Sequence, residues 1–103
     1  MRTKEPSFVV VESREGAAFL EDGAEIPPPL TVVMLVDESS INWDRGGVTE
    51  DAIAISVRSS SRITAFRDLR KQALDELGVA IGSLTVKRLG GEPMGPASKL
   101  GLL

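Results

Sequence analysis

Three features of the sequence predict an α+β fold, with a mainly antiparallel sheet of about five strands and one principal amphipathic helix packed on it. Short apolar, β-rich runs recur through the first half and return at 83–89. One stretch only, starting at Phe66, switches to the helical period. Glycine, proline and short polar clusters fall at the joints between these runs. A chain of 103 residues, 42% of them hydrophobic and 26% charged, can support one modest core.

Taken in order, "SFVVVE" (7–12) and "GAAFLEDG" (16–23) are two apolar runs separated by "SREG", the pattern of a β-hairpin. Three prolines at 27–29 then interrupt, because their nitrogens cannot join a ladder. The run "LTVVMLVD" (30–37) is apolar throughout rather than alternating, which predicts a strand covered on both faces, by the helix and by a neighbouring chain or a folded-over hairpin. Residues 38–50 form the polar connection to the next strand, with a turn at Gly46-Gly47. In that strand Ile53, Ile55 and Val57 alternate with Ala54, Ser56 and Arg58, giving one buried and one exposed side. Phe66, Leu69, Ala73, Leu74 and Leu77 then fall at offsets 0, 3, 7, 8 and 11, one apolar stripe of a helix. Thr64 or Ser61 can cap its start, and Gly78 stands where a left-handed C-cap belongs. "SLTVKRL" (83–89) returns as a strand, with Leu84 and Val86 facing inward. The domain is therefore expected to span 1–89, followed at 90–103 by an extended arm whose glycines and prolines cannot build a helix or a central strand.

Composition narrows the function classes. No apolar run approaches the roughly 20 residues that cross a bilayer, and "MRTKEPSF" carries charge without an apolar segment behind it, so neither a membrane span nor a secretory signal is expected. Cysteine, histidine and tyrosine are absent, which removes disulfides, thiolate and imidazole metal ligands and the usual nucleophile–base pairs. The single adjacent Ser-Lys, Ser98-Lys99, lies in a Gly/Pro-rich segment ill suited to holding a catalytic geometry. No catalytic residue, cofactor or metal site is expected. The acidic residues Asp37, Glu38, Asp44, Glu50 and Asp51 cluster around the 38–50 connection, but their spacing fits no calcium loop.

Charge divides the chain. Residues 1–51 hold four basic and eleven acidic side chains, a net −7, and residues 52–103 hold eight basic and four acidic, a net +4. An acidic whole opposes specific nucleic-acid binding, whereas unequal halves favour a copy of the same chain or an oppositely charged partner; the alternative is that the two halves interleave in the fold and leave no macroscopic dipole. Ser59, Ser60 and Ser61 break the strand and offer hydroxyls to the free amides at the helix start. The alternative use of that corner is an anion site flanked by Arg58, Arg62 and Arg67, although no glycine-rich loop accompanies it. On the outer face of the helix Arg67, Arg70 and Lys71 precede Asp75 and Glu76, the reverse of the order the helix dipole favours, and a partner that reads the basic end would explain it. Trp43, the one tryptophan, is either a lid on the local core or an interface anchor. Leu100, Leu102 and Leu103 end the arm in apolar residues that need a dry surface, either on their own domain or on a neighbour. The candidate interface is thus Trp43, Arg67, Arg70, Lys71, Leu100, Leu102 and Leu103.

"EDAIAISVRSSSRITAFRDLRKQALDELG", followed by "VAIGSLTVKRLGGEP", resembles the strand, helix and strand order of the tail terminator proteins of long-tailed bacteriophages, and "FVVVE" resembles that family's early strand. The resemblance covers about residues 50–93 and rests on pattern rather than on individual residues. It implies a non-enzymatic structural subunit of the virion: a ring, commonly a hexamer, made of copies of itself at the junction of tail and head, in contact with adjacent tail or connector proteins. The competing expectation is a small β-grasp-like adaptor acting as a monomer, in which case a cytoplasmic location follows.

Overall fold

The computed structural model describes residues 7–15, 30–41, 48–90 and 92–102. They form an α+β domain with a five-stranded sheet and one helix. The strands are β1 (Phe8–Glu15), β2 (Leu30–Asp37), β3 (Ile53–Ser59), β4 (Thr85–Arg88) and β5 (Pro93–Pro96), and the helix α1 (Arg62–Gln72) lies between β3 and β4 in the chain. The order across the sheet is β3-β2-β1-β4-β5. Three pairings are antiparallel; β1 with β4 is parallel, because α1 carries the chain across β2 and β1 before it re-enters the sheet.

The all-apolar run at 30–37 is a strand covered on both faces, as its lack of alternation predicts. On one face Val10, Val33, Leu35, Ile55, Val57 and Val86 meet Ala65, Phe66, Leu69 and Ala73 of the helix, together with Ile81. On the other, Val9, Val11, Val32, Met34 and Val36 meet Ala52, with Ile41, Val48 and Ile53 packed alongside. The alternation is realised over 54–58: Ile55 and Val57 are buried, while Ala54, Ser56 and Arg58 are exposed.

Four expectations are corrected. Ser13, Arg14 and Glu15 do not turn; they continue β1 opposite Val32, Thr31 and Leu30, since β2 is long enough to pair with all of them. The second hairpin run, 16–23, the prolines at 27–29, Trp43 and Gly46-Gly47 lie outside the described residues. Leu74 and Leu77 belong to no core: they are 57% and 45% exposed. Both fall in a π turn, Ala73–Leu77, that continues α1 and packs mainly against α1 itself, past the cover of the sheet. Ile53, expected on the side of Ile55 and Val57, packs with the opposite-face cluster, because the register with β2 shifts between Leu35 and Val36; the helix start itself is as expected, Ser61 capping it with its hydroxyl accepting from the Thr64 amide at 3.4 Å.

The fourth correction concerns the chain after Leu89, expected to extend away from a complete domain. Gly90 turns it back with φ +113°, and Pro93–Pro96 add an antiparallel edge strand to β4. Prolines are tolerated there because an edge strand needs ladder bonds on one side only. The Ala97 amide donates to the Leu84 carbonyl at 3.1 Å, and Ala97 and Leu102 join the helix-side core. Leu102 is 6% exposed and Leu100 half-buried, so both serve their own domain rather than a neighbour; Leu103 lies outside the described residues.

Candidate interaction surface

The solvent flank of α1 is unusual for its composition. Ile63, Arg67, Arg70 and Leu74 stand at offsets 0, 4, 7 and 11, and at about 100° per residue these positions fall within one narrow stripe. It runs roughly a quarter-turn round the helix from the buried stripe of Ala65, Phe66, Leu69 and Ala73. Every member is exposed, Ile63 by 53%. Lys71 lies beside it, also exposed. Among the described residues Arg67, Arg70 and Lys71 make no side-chain hydrogen bond or ion pair. Next to the stripe a largely apolar hollow of about 360 Å³ is lined by Arg70, Leu74, Ala80, Ile81 and Gly82. The three basic residues picked out in the sequence therefore share one exposed face, framed by Ile63 and by Leu74, which the sequence pattern had assigned to the core.

At the N-terminal end of α1 the fold assembles a second feature. Glu12, Arg14 and Arg88 share the sheet face that carries the helix: Glu12 and Arg14 are two residues apart on β1, and the parallel register sets Arg88 beside Glu12. Arg62, in the first turn of α1, grips Glu12 through both carboxylate oxygens, with Nη2 donating to Oε1 at 2.9 Å and Nε donating to Oε2. The guanidinium also lies 5.8 Å from the centre of the Phe66 ring. Glu12 is only 8% exposed, so the fork-shaped guanidinium both neutralises its charge and satisfies its oxygens. Glu12, Ser13, Arg14, Arg62, Arg88, Leu89 and Met94 line a hollow of about 420 Å³. Since Arg62 is committed to Glu12, the unneutralised charge there belongs to Arg14 and Arg88, both exposed and with no side-chain partner among the described residues.

The serine corner is a cap. Ser59 Oγ accepts from the Ser61 amide at 3.3 Å and Ser61 caps the helix. Arg58, Arg62 and Arg67 do not converge on it. The register places Arg58 beside Val32, on the sheet face away from the helix, while Arg62 is paired and Arg67 faces outward. Of the acidic residues around 38–50, Asp37 caps the turn Glu38–Ser40, accepting from the Ser39 amide at 3.1 Å and the Ser39 hydroxyl at 2.7 Å. The Ser39 hydroxyl, joined by backbone donors and Ser40, holds the Asp37 carboxyl below the usual carboxylate range. Glu38 pairs with Lys87 at 2.7 Å. Among the described residues no three histidine, cysteine, aspartate or glutamate side chains are grouped to hold a metal ion, and no helix is long and apolar enough to cross a membrane.

No protein-family model matches the sequence, and neither a curated protein nor a solved structure matches it. The surface is therefore interpreted from its own chemistry. It is an exposed helix flank with apolar ends and a basic middle, and beside it stands a basic hollow at the helix start.

Proposed function

We propose that this protein is a non-enzymatic structural subunit that associates with copies of itself, in the manner expected of a ring component of a phage tail or head–tail junction. The observation that carries the assembly reading is the exposed stripe Ile63, Arg67, Arg70 and Leu74, continued by Leu77. Large aliphatic side chains left in water forgo about 1.5–3 kcal/mol each relative to burial. Isolated exposed leucines are ordinary, but apolar residues flanking arginines along one line combine two residue types common in interfaces, aliphatic side chains to bury and planar guanidiniums able to bind a partner's carboxylates. The two halves interleave in the sheet, β1 and β2 lying between β3 and β4, so the charge division along the chain does not set up two faces; the basic stripe on α1 and the acidic turn at its end are the separate surfaces that a heterologous contact, the kind that closes rings, can join. The phage assignment rests on the resemblance of the strand–helix–strand segment to tail terminators.

Reversing the charge of Arg67, Arg70 and Lys71 to glutamate tests the reading by sedimentation velocity beside the native chain. The three side chains are exposed, so the melting temperature should stay close to that of the native protein while the associated species is lost. An unchanged oligomer would remove this face from the interface. A monomeric native chain that binds other proteins through the same face would favour the adaptor instead.

A further inference from the structure

We propose that the basic hollow at the start of α1 receives the acidic last turn of α1 from a second copy of this chain, joining copies head to tail. This deepens the assembly reading and rests on it. Three observations lead there. The hollow carries two guanidiniums with no partner among the described residues, Arg14 and Arg88, beside the half-exposed Leu89 and the partly buried Met94. The opposite end of the helix carries two carboxylates, Asp75 and Glu76, between Leu74 and Leu77. The two surfaces match in charge number, in opposite sign and in having apolar flanks.

Local physics does not account for the acidic end. The last turn of a helix exposes carbonyl oxygens and a partial negative charge, so acidic side chains there are repelled; the nearest cations on the helix, Arg70 and Lys71, stand one turn earlier. Neither Asp75 nor Glu76 makes an ion pair or side-chain hydrogen bond among the described residues. The turn is also π-wound, a geometry that recurs at functional positions because it is otherwise unfavourable. A cationic receptor on another molecule offsets that repulsion. Within the same chain Lys71 lines a hollow with Asp75 and Glu76 without pairing to either, and Arg14 and Arg88 are out of reach: α1 and its π turn together run 62–77, about 24 Å at 1.5 Å per residue, with their hollow at one end and the carboxylates at the other. A contact between opposite ends of a rigid element repeats from copy to copy, which is the geometry of a ring or a filament.

The test uses five variants of the full chain, with sedimentation velocity in about 0.1 M salt, where charge acts over about 10 Å. Arg14→Glu with Arg88→Glu removes the receptor, and Asp75→Lys with Glu76→Lys removes the insert; all four side chains are exposed, and Arg62 is left in place to keep Glu12 paired. Each double variant should weaken self-association about ten-fold or more, and the chain carrying all four substitutions should recover it, because the charges are exchanged rather than lost. A neutral pair of variants guards against misfolding: Arg14→Gln with Arg88→Gln, mixed with Asp75→Asn with Glu76→Gln, should form pairs that stop at two copies, since one intact end meets one intact end. Native association with unchanged affinity in either double variant overturns the contact but leaves the assembly reading standing. Loss in both without recovery in the four-fold variant also overturns it. A native chain that stays monomeric overturns both.

Discussion

Leu102→Ala should destabilise the domain rather than its association. The side chain is 6% exposed and sits in the helix-side core with Ile81, Ala97 and Phe66, so removing it deletes buried methyl groups and leaves a cavity. Leucine-to-alanine changes in cores cost about 2–5 kcal/mol. Leu102 keeps 6% of its surface exposed, so it sits at the edge of the core where its surroundings can partly collapse, which points to the lower half of that range, about 2–3 kcal/mol. For a domain of this size that lowers the melting temperature by about 10–20 °C, since each kcal/mol is worth about 4–8 °C. Urea unfolding read by far-UV circular dichroism should show a reduced midpoint with an unchanged slope, and sedimentation at a temperature where the variant is folded should show native association. Leu89→Ala is the control, since Leu89 is half exposed and its loss should change stability by no more than about 0.5 kcal/mol. A Leu102→Ala protein with the native midpoint but weakened association would refute the packing argument and return the chain end to a neighbour.

Three other outcomes follow from specific contacts. Glu12→Gln leaves Arg62 facing a neutral amide over a largely buried site and should cost about 1–3 kcal/mol, measured by the same urea unfolding; a neutral result would mean that the pair does not hold β1 to α1. Gly78→Ala has open space for the added methyl, but φ +66° penalises any β-carbon, so about 1 kcal/mol should be lost with no change in packing. Asp37 has a folded-state pKa below its ordinary 3.8, so its contribution is present above that value and is lost as pH falls through the lower folded-state pKa. Asp37→Asn should flatten that part of the acid dependence of the urea midpoint and leave the neutral-pH slope alone.

The parts of the fold legible in the sequence are those governed by local period. The unbroken apolar run at 30–37, the alternation over 54–58 and the helical stripe through Phe66, Leu69 and Ala73 each state which sides are buried, and the structure buries them; Ile53 breaks the alternation because a bulge opposite Leu35 and Val36 turns it to the other face. Register and long-range pairing are not written in period. Nothing in "VKRL" says that its strand lies parallel to β1, yet that register brings Arg88 beside Glu12 and creates the basic hollow. Parity alone would have placed Glu12 and Arg14 on one face of β1; it could not supply the third and fourth members. The chain after Leu89 was misjudged because prolines and glycines were weighed as breakers, whereas an edge strand and its return turn accept both. Leu74 and Leu77 were assigned to the core by spacing, and spacing does not reveal where the sheet stops covering the helix.

The central claim is self-association, and the mass of the native chain in solution tests it most directly. Sedimentation equilibrium over a wide range of protein concentration, at about 0.1 M and about 1 M salt, should give a mass that climbs above the 11.0 kDa of one chain as concentration rises. The rise should shrink at the higher salt, where the screening length falls to about 3 Å and exposed arginine–carboxylate contacts weaken. A mass of 11.0 kDa at every concentration and both salts would contradict the claim.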